Sequence, residues 1–214
     1  MILVGELGMS KKPISLAKYR RRQPHLAPKP RFVIVIEGDS TELDYFRILG
    51  QHCPGVSIKC KKSNHHSSPK NVLKKIQNEL SSHPLEPGDQ AWIVVDRDQW
   101  PVEQLFNIKK WVKRQKNVRI ALSNPKFEFW LLLHFENARG VRTPKVCDER
   151  LRRYLKDCDK SLNNSDFPIE LICGAIQRAK KIVINPEEWP NQSGTTEVHE
   201  LVSEILRLGN HESQ

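Results

Sequence analysis

Two apolar runs of the chain end in carboxylates. Residues 31–36 (RFVIVI) are followed by Glu37, and residues 91–95 (AWIVV) are followed by Asp96 and Asp98. Side chains at positions i and i+2 of an extended segment point to the same side, so Asp96 and Asp98 can face one point. Clustered carboxylates repel one another, and a hard cation such as Mg²⁺ removes that conflict. Glu37, Asp96 and Asp98 are therefore predicted to hold a metal that activates water or stabilises a phosphoryl transition state. The alternative is that Glu37 is an acid favoured by a helix dipole and that Asp96 and Asp98 form a turn and a helix cap.

The elements that must position these acids alternate between strands and helices up to about residue 135. Short apolar or alternating runs predict strands at residues 31–36, 56–60, 91–95 and 118–122. Between them, apolar residues recur at helical spacing. This alternation predicts an α/β fold, with a mostly parallel sheet flanked by helices. Ligands of such sheets bind outside the carboxyl ends of the strands, where the acids are expected.

The chain after this region predicts helices and no convincing strand. The helical patterns lie at about residues 145–157, 168–183 and 196–208. We therefore expect three parts: a basic N-terminal arm at residues 1–30, an α/β core at 31–135, and a helical C-terminal part at 136–214 that packs on the core.

The net charge of +10 is unevenly spread. Residues 1–31 contain eight Lys or Arg residues and a single Glu, and prolines interrupt them, so one long helix is not expected. Arg20, Arg21 and Arg22 form a tight run that is predicted to contact phosphates of a nucleic acid. The alternative is a solvated tail. Met9 is a second candidate start, which would make residues 1–8 incidental.

Composition excludes several classes of protein. No stretch of about 18 apolar residues exists, so no membrane span is predicted. The five cysteines are scattered and form no C-x-x-C, which argues against a disulfide framework or a zinc site. The sequence also lacks the phosphate-binding loop of ATPases. A reducing, cytoplasmic location is predicted.

The acidic motifs resemble those of known families. A Glu-Gly after the first strand and an Asp-x-Asp after a later one resemble the Toprim pattern. A wider resemblance, in order over about residues 31–206, is to four blocks of the RloB family: E-G-x-x-T-E-x-x-Y-F, D-R-D, S-N-P-x-F-E-x-W-L-L-L-H-F and, with one extra residue here before the valine, N-x-S-x-T-x-V-x-x-L. They correspond to residues 37–46, 96–98, 123–135 and 191–201.

This resemblance implies a Toprim-like fold and a nuclease that uses Mg²⁺ or Mn²⁺. It also implies RNA, such as tRNA, as substrate, a role in phage defence or abortive infection, and a separately encoded ATPase as partner. One departure is Asp39-Ser40, where the family often has Glu-Lys. Any phosphate contact made by that lysine is therefore expected from Arg97 or Lys126.

Other residues have two open interpretations each. Glu128, in the S-N-P block, could reach the cleft as a catalytic acid, and His134 could act in acid–base chemistry or be a hydrogen-bonded core residue. Glu42 could join the acids, although an acid in a first helical turn is also favoured by the helix dipole. Lys61 and Lys62 begin a polar loop, predicted at residues 61–68, that is expected to contact phosphate.

Three functions remain open at this point. The first is a metal-dependent phosphodiesterase that acts on nucleic acid, RNA being favoured over DNA, with Glu37, Asp96, Asp98, Glu128 and His134 as its catalytic candidates. The second is a non-catalytic binding or regulatory subunit of a defence complex with an ATPase. The third, a strand-joining or primase subunit, is weak because no tyrosine stands in a recognisable cleavage context.

Overall fold

The computed structural model describes residues 28–37, 40–63, 68–97, 100–155 and 161–210. Within these residues the chain forms five strands and seven α-helices. In chain order they are β1 (Arg31–Ile36), α1 (Ser40–His52), β2 (Ser57–Lys62), α2 (Pro69–Ser82), β3 (Gln90–Asp96), α3 (Val102–Val112), β4 (Val118–Asn124), α4 (Glu128–Leu132), α5 (Pro144–Leu151), α6 (Ile169–Lys180), β5 (Thr195–Thr196) and α7 (Val198–Gly209).

The five strands form one sheet in the order β2-β1-β3-β4-β5. Strands β1 to β4 are parallel, which confirms the predicted α/β fold and is consistent with a Toprim-like arrangement. The chain moves from β1 to β2 on one side, then returns past β1 to β3 and β4 on the other. Open α/β sheets bind ligands at the carboxyl end of such a reversal. Here that point lies between the ends of β1 and β3.

Helices cover both faces of the sheet. Phe32, Ile34 and Ile36 of β1 pack into one hydrophobic cluster, which α1 and α4 to α7 share. Val33 and Val35 face the opposite side and pack with α2 and α3. Because both faces of β1 are buried, the strand is apolar throughout rather than alternating.

The prediction of no strand after residue 138 was wrong. Thr195 and Thr196 form β5, which pairs antiparallel with the last two residues of β4, Ser123 and Asn124. Two threonines show no apolar alternation, so periodicity could not detect them. The predicted C-terminal helices correspond to α5, α6 and α7, and the division into a core and a C-terminal part stays a prediction. No helix in the described part of the chain is long and apolar enough to cross a membrane.

Candidate functional site

Glu37 and Asp96 meet where the direction of the chain reverses. Glu37 directly follows β1, and Asp96 is the last residue of β3. The backbone N–H of Asp96 donates to Oε2 of Glu37 over a long 3.5 Å. The structure therefore brings together two of the three predicted metal ligands. The third, Asp98, lies outside the described residues.

Neighbouring strands fix the backbone at this edge. Ser63, just after β2, donates from its Oγ to the carbonyl of Glu37 at 2.6 Å and from its N–H to the carbonyl of Ile36 at 3.0 Å. The N–H of Arg97 donates to the carbonyl of Ser123 at 2.8 Å. The residues that carry the acids are thus held by β2 on one side and β4 on the other.

The carboxyl group of Asp96 lies in an electrostatically unfavourable place. Desolvation is the main cause of a pKa well above the usual value, and the negative charges of Glu42, Glu128 and Glu37 add to it. Oδ1 of Asp96 is buried and has no hydrogen-bond partner among the described residues. A buried acceptor without a partner costs free energy.

Two further acids surround Asp96 from the helices that follow the strands. Glu42 lies in the first turn of α1 and is 4% exposed, and Glu128 is the first residue of α4. Burial is also the main cause of the raised pKa of Glu128. The placement of Glu42 supports its open interpretation as a member of the cluster, since a helix-dipole role alone does not require burial.

Lys126 forms the positive side of this cluster. Its Nζ lies 3.4 Å from Oε2 of Glu128 and 3.0 Å from Oδ1 of Asp148, a residue of α5. Burial works to lower the pKa of Lys126, but the two carboxylates outweigh it and the pKa is raised. The structure shows the ammonium group of Lys126 paired with two carboxylates. Its predicted contact with phosphate stays a prediction. No sequence signal identified Asp148 as its partner.

Arg97 connects the end of β3 to residues 191–201, which we call the C-terminal block. Its Nε and Nη2 donate to Oδ1 of Asn191 at 3.1 and 3.0 Å, and its Nη1 donates to the carbonyl of Trp100 at 2.9 Å. The guanidinium group therefore connects Asn191 with the backbone of Trp100. The predicted phosphate contact of Arg97 is untested, and this positioning role was not foreseen.

The C-terminal block packs against the end of β4. The side chain of Asn124 donates to the carbonyl of Pro190 at 2.9 Å, and the N–H of Gly194 donates to the carbonyl of Asn124 at 2.8 Å. The hydroxyl groups of Ser123 and Thr196 are 3.0 Å apart. Two blocks that are far apart in the sequence thus meet at the edge that carries the acids.

His134 belongs to the core, which corrects its proposed catalytic role. It has no exposed surface, and its Nε2 lies 3.2 Å from the hydroxyl of Tyr45. Aromatic rings surround it, including those of Trp130 and Phe167. Burial lowers its pKa to about 3. The core interpretation therefore holds, because a neutral and enclosed imidazole cannot reach a substrate in this conformation.

The remaining predicted nucleic-acid contacts are placed only in part. Lys61 and Lys62 are the last two residues of β2, which corrects their predicted place in the loop. Lys62 is exposed, and Lys61 pairs with Glu79 at 3.1 Å. Arg20, Arg21 and Arg22 lie outside the described residues.

The chemistry of the donors fits a hard divalent cation. The donors are carboxylates, and Oδ1 of one of them, Asp96, is buried without a partner among the described residues. Burial first, and then repulsion by the other carboxylates, raises the pKa of Asp96. In the described ranges, no three His, Cys, Asp or Glu side chains form a group that could hold a metal ion. A complete ligand set therefore requires Asp98 or a rearrangement of the described acids.

Comparison with protein families gives a match over most of the chain. The family model described as RloB-like protein matches residues 32–205. No curated protein and no solved structure matches the chain. The matched range contains Glu37, Asp96, the Lys126–Asp148 pair and the C-terminal block, so every described part of the candidate site lies inside it.

Proposed function

Because the chain belongs to the RloB-like protein family, we propose that it is a divalent-metal-dependent nuclease with its active site at the carboxyl ends of β1 and β3. One observation carries the proposal. Asp96 ends a strand at the reversal point, lies among three other carboxylates and has a buried oxygen without a partner in the described chain. A cation is the ligand that relieves this arrangement, and phosphodiester cleavage is chemistry that such a cation supports.

Glu37 and Asp96 would hold Mg²⁺ or Mn²⁺, with Asp98 as the third ligand. Glu42 and Glu128 are further candidate ligands. When bound, the metal would supply Lewis acidity and lower the pKa of a coordinated water. The protein itself orients the metal ligands and neutralises part of their negative charge. The amide of Asp96 orients Glu37, and Lys126 balances the charge of Glu128. Asp96 binds metal as a carboxylate, and its raised pKa opposes that ionisation, so metal affinity is expected to increase with pH.

RNA, tRNA included, is the proposed substrate, and phage defence or abortive infection is the proposed setting. The motif blocks of the family support this assignment. A nuclease of this kind is toxic to its own cell, so its activity requires control by a partner. The separately encoded ATPase that the family resemblance implies is the proposed controller.

The test is cleavage of end-labelled total RNA, tRNA and duplex DNA with and without Mg²⁺ or Mn²⁺. We expect the wild-type protein to cut RNA only with metal, and Asp96→Asn to lose at least about a hundredfold in rate, since metal-site electrostatics typically supply that much. Glu103→Gln, which changes an exposed acid of α3, is the matched control and should keep full activity. Equal metal-dependent cutting by wild type and Asp96→Asn would disprove the proposal.

A second function is favoured by a different observation. Lys126 already provides a positive charge beside Glu128, and the described acids do not form a group that could hold metal. A non-catalytic, nucleic-acid-binding or regulatory subunit of a defence complex has these properties. RNA binding without cleavage, in the presence of metal and of the ATPase partner, would favour this second function.

A further inference from the structure

A basic surface lies beside the carboxylates, on the turn before α5 and along that helix. Residues 139–153 contain six basic and two acidic residues. Five of the basic side chains are exposed, and we call them the basic rim: Arg139, Arg142, Lys145, Arg152 and Arg153. Sequence analysis assigned nucleic-acid contacts to other segments and did not identify this surface.

The direction of α5 places part of the basic rim toward the candidate site. Asp148 reaches the ammonium group of Lys126 at 3.0 Å, so the helix face that carries Asp148 looks toward the carboxylates. Lys145 lies three residues before Asp148 and Arg152 four residues after it, spacings that share one helix face. The N–H of Arg152 donates to the carbonyl of Asp148 at 3.0 Å, so the helical geometry extends to this residue.

A second contact places the turn before α5 at the same edge. Gly194 donates its N–H to the carbonyl of Asn124, at the end of β4. Gly194 has a φ of +74°, and a Cβ at this position would lie 3.1 Å from the carbonyl oxygen of Val141. The turn therefore packs closely on the C-terminal block, which places Arg142, the next residue, near the edge that carries the acids.

Among the described residues, no acid neutralises Arg142 and Lys145 of the basic rim. Asp148 is paired with Lys126, and Glu136 is paired with Arg150, which lies outside the rim. Lys145 is 86% exposed and lies 4.0 Å from Glu149, a separation and exposure at which an ion pair contributes little. A surface with this excess of positive charge fits a polyanion.

We propose that the basic rim binds the phosphate backbone of the nucleic acid and guides the strand past Glu37 and Asp96. The inference rests on the proposed function for its substrate class, but the location of the surface depends on the contacts of α5 and Gly194. Phosphate contacts fix the register and orientation of a bound strand. The rim would therefore decide where the strand meets the carboxylates.

The test is a binding titration that does not depend on cleavage. Fluorescence anisotropy of a labelled single-stranded RNA is measured in EDTA at several salt concentrations, for the wild type and for Arg142→Gln/Lys145→Gln. The matched control is Lys113→Gln/Lys116→Gln, which removes two exposed charges between α3 and β4, at the amino edge of the sheet.

We expect the rim variant to bind about tenfold more weakly and its salt slope to fall by about 1.4, or about 0.7 per lost phosphate contact. The control should bind as the wild type does. Unchanged binding by the rim variant, an equal loss in the control, or absence of RNA binding by the wild type would each overturn the inference. If the rim variant loses binding but no RNA is ever cut, the nuclease proposal fails and the rim assignment stands.

Discussion

At the residue scale, the acids were predictable and their partners were not. Glu37 and Asp96 directly follow apolar runs, so the strand pattern alone places them at one edge of the sheet. The Lys126–Asp148 pair and the Arg97–Asn191 contact join residues 22 and 94 positions apart. Such pairs depend on how helices and strands pack, which the local sequence pattern does not predict. His134 shows the same limit, because a histidine near the end of an apolar helix has the same sequence signature whether it is catalytic or buried.

The Tyr45–His134 pair gives a prediction at this scale. Nδ1 of His134 lies 3.1 Å from the carbonyl of Trp130, so this nitrogen donates and Nε2 accepts from the Tyr45 hydroxyl. Tyr45→Phe leaves that buried acceptor without its donor and should cost about 1–2 kcal/mol of unfolding free energy. Chemical denaturation measures this loss. Cleavage per folded molecule should stay at the wild-type level, and a loss of cleavage at unchanged stability would return His134 to the active site.

At the element scale, β1 to β4 were predictable from their apolar residues. These residues either form a continuous run, where both faces of a strand are buried, or alternate with polar residues, where one face is buried. Strand β5 was not, because two polar residues are held by pairing with β4 and not by burial of apolar surface. Glu197 extends that pairing. Its N–H donates to the carbonyl of Leu122, and its Oε2 accepts from the N–H of Leu122, each at 2.9 Å.

The environment of Glu197 predicts a dependence of stability on pH. Burial raises its pKa to about 7, nearby Glu200 adds to this, and Lys109 of α3 opposes it. In the unfolded chain the carboxyl group of Glu197 ionises near its ordinary pKa of 4.5, whereas in the folded protein the same group keeps its proton up to about pH 7. The contribution of Glu197 to stability is therefore present below about pH 4.5 and is lost as pH rises through about 7.

Glu197→Gln should remove this dependence, because the amide oxygen can still accept the N–H of Leu122. Between pH 5 and pH 8 the variant should gain about 1–3 kcal/mol relative to the wild type. Urea unfolding at the two pH values measures this gain. Glu103→Gln, at an exposed position that does not contribute to the pKa of Glu197, is the control. An identical pH dependence for wild type and Glu197→Gln would contradict the account.

At the scale of the whole molecule, the C-terminal helices form part of the hydrophobic core instead of packing on its outside. Val198, Leu201, Val202 and Ile205 of α7 are fully buried and belong to the same hydrophobic cluster as one face of β1. Sequence periodicity detected these helices, but it could not show whether their apolar faces contact the sheet or one another. The uneven charge was visible in the sequence, whereas the basic rim required the packing of α5 to be recognised.

The continuous core predicts that residues 28–135 do not fold alone. Without α5, α6, α7 and β5, the sheet would expose apolar side chains on one face and lose the strand beside β4. Calorimetry of this fragment should show no cooperative unfolding transition, whereas the full chain should show one. A cooperative transition in the fragment would instead support an α/β core that is independent of the C-terminal part.

The most direct test of the central claim is the location of a bound metal. Crystals grown with Mn²⁺ should show an anomalous difference peak within about 2.5 Å of carboxylate oxygens of Glu37 and Asp96, the range expected for oxygen ligands of such ions. The peak should be absent from crystals of Asp96→Asn. A Mn²⁺ peak elsewhere, or an Asp96 carboxyl group without metal at saturating Mn²⁺, would contradict the assignment of this edge of the sheet as a metal-dependent nuclease site.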